Sequence, residues 1–195
     1  MNVLCWNCRG AGNKGFASLV NDMIYNHEVG LLCLLETHIS GERAMEVTRR
    51  ILLDKKFLVH AQGHYGGLWC LWDPKRWNIE VVHHSFQFIH LKVLNDSSHW
   101  FCTIVYASPH PQDRVVLWRE LTQISKHIDG PWNLVGDFNA VLHQHERMGR
   151  ALNANLCGDS AFRNFVDQCS LMDIGFNGSP FTWKRGNYMN AWTGV

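Results

Sequence analysis

Asn133–Leu142 reads NLVGDFNAVL. An apolar run stops at Gly136, and Asp137 and Asn139 follow two positions apart. A buried strand that ends in a carboxylate and an amide is either an ordinary strand end or one wall of a polar site. The remaining strand ends decide between these readings.

Three other apolar runs also stop at polar side chains. Residues 1–7 (MNVLCWN) are rich in strand-forming residues and end at Asn7. Leu31–Leu35 is five consecutive apolar residues, as a strand covered on both faces requires, and Glu36 follows. His99–Tyr106 ends at a phenol. Each end alone is bland. Together, central strands that are neighbours in one sheet bring their ends to one rim, where α/β folds commonly bind ligands.

Between these strands the helical period recurs. Phe16, Leu19, Val20, Met23 and Ile24 stripe a helix ending near His27, and Glu42–Leu53 gives a short one. Pro111 opens another, striped by Leu117, Leu121, Ile124 and Ile128, and "DGPW" stops it before a strand at Trp132–Val135. Phe162, Phe165, Val166 and Cys169 mark a further helix, with Asp159 as its cap. Leu68–Asp73, Asn78–His84, Phe86–Leu94 and His99–Tyr106 form an antiparallel meander, divided by "DPKRW", a His-Ser break and "NDSS". "GSPFTW" leads into a last short strand. Sheet packed on sheet, with helices over the outer faces, accommodates this order.

Composition narrows the function. A chain of 195 residues, 46% hydrophobic and with nine tryptophans, can bury a core of its own. A net charge of +1 excludes a strongly basic nucleic-acid coat protein, but leaves room for a local cationic groove. No charged segment followed by an apolar run opens the sequence, and no apolar stretch approaches the roughly 18 residues that span a bilayer. Seven cysteines, an odd number, suit reduced thiols. The expected location is intracellular, with no membrane association. No linker or repeat divides the chain, so residues 1–195 are expected to form one domain.

Glu36 and Asp137, Asn7 and Asn139, and Tyr106 make an oxygen-rich set. Oxygen donors suit a hard cation such as Mg2+, which keeps several waters and needs only one or two carboxylates. The amides and the phenol are left to hold a phosphate, as metal-assisted phosphoester cleavage requires.

Five segments in order, LCWNCRGAGN (Leu4–Asn13), LLCLLETHIS (Leu31–Ser40), IVYASPHPQDR (Ile104–Arg114), VGDFNAVL (Val135–Leu142) and GSPFTW (Gly178–Trp183), resemble the endonuclease/exonuclease/phosphatase superfamily. The nearest likeness is to the apurinic/apyrimidinic-endonuclease-like domain of plant non-LTR retrotransposons. The resemblance implies a four-layer α/β/β/α sandwich of two packed mixed sheets. It implies Mg2+, or Mn2+ in its place, held chiefly by Glu36 with help from Asn7. Asp137 would activate the attacking water, and Asn139 and Tyr106 would steady the phosphate. Arg9 would contact a phosphate, and Thr182 and Trp183 would line the DNA-binding rim. DNA would be the substrate, the action nuclear, and a reverse transcriptase domain the partner in a complete element.

The family pattern continues with an Arg-Leu-Asp strand and a Ser-Asp-His segment, and neither occurs before Val195. The expectation is therefore a fold lacking its C-terminal strands, with weak or no activity. The alternatives are a non-catalytic remnant that binds phosphate or nucleic acid, and a phosphatase of the same superfamily.

Other motifs have plainer readings. Cys5-Trp-Asn-Cys8 fits C-x-x-C, but no second pair completes a zinc site. The loop CRGAGNKG lacks the spacing of a nucleotide cradle. His83-His84 and His143-x-His145 have no supporting carboxylate or cysteine. Arg49, Arg50, Lys55 and Lys56 read as a solvated helix face, or alternatively as a contact for a DNA backbone.

Overall fold

The computed structural model describes residues 2–63, 65–143, 146–148, 160–175, 177–178, 183–185 and 188–190. Two compact units divide the chain: Met1–Tyr106 with Gly130–Gly136, and Ala107–Asp129 with Asp137–Val195.

The first unit holds two mixed sheets and two helices, and the fold class is α/β. Strands β1 (Asn2–Asn7), β2 (Val29–Leu35), β3 (Lys55–Val59) and β4 (Leu68–Trp72) form one sheet in the order β1-β2-β4-β3. β1 and β2 run parallel, joined through helix α1 (Phe16–Asn26), and the other pairs are antiparallel. Every residue of β2 is buried, as its unbroken apolar run demands. Alternate side chains then serve two cores. Leu32, Leu34, Trp69 and Leu71 pack with Phe16, Ala17 and Val20 of α1 and Ala44 of helix α2 (Gly41–Arg49).

The opposite face meets the second sheet: β5 (Asn78–His84), β6 (Phe88–Leu94), β7 (His99–Tyr106) and β8 (Trp132–Asp137), in that order. Phe57 and His84 rings lie 4.9 Å apart, Trp77 and Trp100 rings 5.9 Å. β5, β6 and β7 form an antiparallel meander. β8 joins β7 in parallel: the Phe101 N–H donates to Pro131 O, and the Ala107 N–H to Asp137 O, so partners advance in the same direction. A parallel partner needs a crossover. Helix α3 (Pro111–Ser125) is that crossover.

The second unit is built on α3 and helix α4 (Ser160–Gln168). Trp118 of α3 lies 4.9 Å from the Phe162 ring and 5.3 Å from Phe165, and Phe138 is 5.3 Å from Phe162. Strands β9 (Arg147–Met148), β10 (Trp183–Arg185) and β11 (Tyr188–Asn190) form a small sheet in the order β10-β11-β9.

Several sequence expectations shift. The helix expected over Glu42–Leu53 stops at Arg49, because Asn21 of α1 takes the next turn. Its Nδ2 donates to Arg50 O at 2.8 Å and its Oδ1 accepts from the Leu52 N–H at 2.9 Å. β3 is an additional strand without a sequence signal, since KKFLV carries only three apolar residues. β6 begins at Phe88, since the Ser85 hydroxyl accepts the Gln87 N–H and makes a turn there. β8 continues beyond Val135 to Asp137. The single strand expected near the C-terminus is one of three in a sheet. Asp159 lies outside the described residues.

Candidate functional site

In the first unit, the parallel register of β1 and β2 creates one group. Asn7 stands opposite Leu35, so Glu36 is the first residue past the paired ends. The Asn7 Nδ2 donates to Glu36 Oε1 at 2.9 Å. His38 Nε2 lies 3.5 Å from the other carboxylate oxygen, Oε2. The Glu36 side chain keeps 19% of its surface accessible, so it is reachable from solvent but held.

The backbone bends sharply at this point. Glu36 has φ +54° and His38 φ +57°, in the left-handed region that costs a non-glycine residue about 1 kcal/mol or more. Hydrogen bonds compensate. The Gly10 N–H donates to Glu36 O at 2.7 Å and the Ala11 N–H to Thr37 O at 2.9 Å. Arg9 is exposed in that loop with φ +49°. Tyr106 closes β7, 8% exposed, and its N–H donates to Gln87 O at 2.8 Å.

In the second unit, Asp137 and Asn139 form the other group. The Asn139 N–H donates to Asp137 Oδ1 at 3.0 Å, and its Nδ2 donates to Ala107 O at 2.8 Å. Asn139 has φ +45°, a conformation asparagine tolerates better than most residues. The glycine of "GDFN" has its own reason. Gly136 has φ +147°, and a Cβ there would overlap the Val105 carbonyl of the adjacent strand. Only glycine lets β8 run this close to β7 immediately before the carboxylate.

Asn7 and Glu36 are thus brought together, as are Asp137 and Asn139. Thr182 lies outside the described residues, and Trp183 pairs with Asn190 in the small sheet. Two participants were not singled out from sequence. His38 belongs to the quoted "ETH" segment, but nothing in the segment says that its ring returns to Glu36. Ala107 acts through its carbonyl, which leaves no trace in a side-chain pattern.

Among the described residues, no group of three or more His, Cys, Asp or Glu side chains is set to hold a metal. One carboxylate steadied by an amide, with water in the remaining positions, fits Mg2+. Cys8 offers no thiolate alternative: burial pushes its thiol up to about 11, and its Sγ–H donates to Leu35 O. Among the described residues, neither Cys5 nor Cys8 forms a disulfide. The basic cluster is not one helix face: Arg49 ends α2, Lys55 opens β3, and Lys56 Nζ donates to the Thr48 hydroxyl at 3.2 Å.

Residues 4–194 match the Endonuclease/Exonuclease/phosphatase family. The chain belongs to that family. Solved structures agree on the fold. An AP endonuclease from Leishmania major superposes with a TM-score of 0.70 at 14% identity, over 88% of this chain and 67% of that one. The endonuclease domain of TRAS1, a telomere-specific non-LTR retrotransposon, gives 0.69 at 12% identity, over 99% and 82%. An AP endonuclease from Archaeoglobus fulgidus gives 0.60 at 13% identity, over 86% and 69%. No curated protein matches the sequence. Among the described residues, no helix of this family member is long and apolar enough to cross a membrane.

Proposed function

We propose that this chain hydrolyses phosphodiester bonds in DNA with a divalent cation, nicking one strand to leave a 3′-hydroxyl. The observation that carries the reading is the Asn7–Glu36 hydrogen bond of 2.9 Å at the paired ends of two parallel strands. It fixes a partly exposed carboxylate at the rim, where sheet folds of this kind bind ligands. Family membership over residues 4–194 supports the reaction class. The likeness in fold to a retrotransposon endonuclease domain supports DNA as the substrate.

In this reading Glu36 holds Mg2+ (or Mn2+) with help from Asn7. The ion, when bound, would neutralise charge growing on the phosphate oxygens. Asp137 takes a proton from the attacking water, its carboxylate kept in place by the Asn139 N–H. The water oxygen bonds to phosphorus as the bond to the 3′ oxygen breaks; the 3′ oxygen takes a proton from solvent water and leaves as a hydroxyl, and the added oxygen stays on the 5′-phosphate. Asn139 keeps a second amide hydrogen besides the one given to Ala107 O, and offers it to the phosphate. Tyr106 and Arg9 contact the phosphates. The enzyme would act in the nucleus, and a reverse transcriptase that extends the 3′-hydroxyl is the natural partner.

Supercoiled plasmid incubated with Mg2+ tests this. Nicked circles are expected, lost with EDTA and reduced by about 10³-fold or more in Glu36→Ala and Asp137→Ala. Phosphate release from inositol phosphates without plasmid nicking would instead favour a phosphatase of the same family.

A further inference from the structure

The Glu36 turn is gripped from a second side, by a segment outside the Asn7–Glu36 pair. The Thr37 N–H donates to Gly67 O at 3.2 Å, and the His38 N–H donates to Gly66 O at 3.1 Å. Thr37 is fully buried, and its Oγ1 has no hydrogen-bond partner among the described residues. Gly66 and Gly67 have φ +70° and +91°. A Cβ on Gly67 would collide with Thr37 Oγ1 and press on Ala61 Cβ at 3.3 Å. A Cβ on Gly66 would come within 3.2 Å of the Phe86 ring. The Gly66–Gly67 backbone therefore lies directly on the threonine that follows Glu36.

We propose that Gly67 and Thr37 are positioning residues for the Glu36 carboxylate. The left-handed backbone at Glu36 and at His38 is held between two hydrogen-bonded loops, Arg9–Ala11 on one side and Gly66–Gly67 on the other. Thr37 is the pivot between them. It donates to Gly67 O and accepts from the Ala11 N–H, and its side chain fills the space under Gly67. A wider side chain at residue 67 forces the Thr37 side chain, or the whole turn, away. The carboxylate is one residue upstream, so it moves off the Asn7 amide. Supports of this kind around a metal ligand typically set affinity by about 10- to 100-fold. The Glu36 carboxylate is thus placed by packing distant in sequence as well as by the strand end that carries it.

The inference rests on the proposed metal role of Glu36, and the test separates the two. Mn2+ affinity is measured on the free protein by the loss of the aquo-ion EPR signal, with circular dichroism confirming that each variant is folded. Glu36→Gln is expected to weaken Mn2+ binding; unchanged affinity would overturn the metal reading, and this inference with it. Gly67→Ala is expected to weaken binding by about tenfold. Adding Thr37→Ala lets the new methyl at residue 67 take the space that the Thr37 Oγ1 vacates, a space left empty in Thr37→Ala alone, and is expected to recover part of that loss, the positive φ of residue 67 keeping the rest. Wild-type affinity in folded Gly67→Ala, alongside a weakened Glu36→Gln, would overturn the positioning role alone. So would a double variant no better than the single one. If Gly67→Ala does not fold, Thr37→Ala alone decides: weaker Mn2+ binding supports the role, and unchanged affinity ends it.

Discussion

The Asn139 backbone N–H donates to the Asp137 carboxylate at 3.0 Å, while the Asn139 side chain donates to Ala107 O at 2.8 Å. Asp137 returns to the same residue, its carbonyl accepting the Ala107 N–H at 2.8 Å. Residues 107, 137 and 139 therefore close a small ring of hydrogen bonds. A carboxylate proposed as a base is oriented by it.

Substitution at Asn139 should separate strain from hydrogen bonding. Asn139→Ala keeps the left-handed φ without the side-chain bond, and should cost about 2 kcal/mol. Asn139→Gly loses the same bond but relieves the backbone, and should cost about 1 kcal/mol. Urea unfolding gives the order, and an alanine variant as stable as the glycine variant would contradict it. Both substitutions should slow plasmid nicking.

Gly136→Ala should be among the most damaging small changes in the chain. The added methyl overlaps the backbone of Val105, which cannot step aside without breaking the β7–β8 pairing. A loss of roughly 3 kcal/mol or more is expected, seen as insoluble protein or a sharply lower melting temperature. A soluble variant melting like the wild type would show that the two strands are not this close.

His90 should make stability fall in mild acid. It is 2% exposed, its Nδ1 lies 2.8 Å from the Thr103 hydroxyl, and its ring stacks on Phe101 at 5.4 Å. Burial first, and His83 second, pull its pKa down from 6.5 to about 4. The unfolded chain therefore binds a proton that the folded protein refuses between these values. Stability is complete above about pH 6.5, is lost as pH falls toward 4, and falls no further from this group below that. The loss is about 3 kcal/mol. Urea midpoints at pH 7.5, 5.5 and 4.5 should show it in the wild type and much less of it in His90→Phe.

If Glu36 and Asp137 serve the same chemical step, their losses should not add. Glu36→Gln and Asp137→Asn should each cost about 10³-fold in nicking, and the double variant little more than the worse of the two. Multiplying losses would mean independent roles.

Much of the fold could be read from particular residues. The unbroken apolar run Leu31–Leu35 announced a strand buried on both faces, and β2 is buried throughout. The stripe at Leu117 and Leu121 announced α3, and both residues are fully buried. β3 escaped because KKFLV is too short and too polar to show a period. The local pattern of α2 runs past its actual end, because that end is set by Asn21, more than twenty residues away in sequence. His38 and Ala107 escaped for a similar reason: a ring returning to its neighbour's carboxylate and a carbonyl acting as acceptor depend on backbone path.

The amino-acid order alone singled out candidate residues for chemistry. It placed Asn7, Glu36, Tyr106 and Asp137 at strand ends, since apolar periodicity and its interruption are local properties of a chain. Only tertiary structure decided which of them meet. The Asn7–Glu36 bond depends on parallel register, and the Asp137–Asn139 geometry on how closely β8 can approach β7 at Gly136. Register and close approach are set by packing between segments far apart in sequence, and no local pattern encodes them.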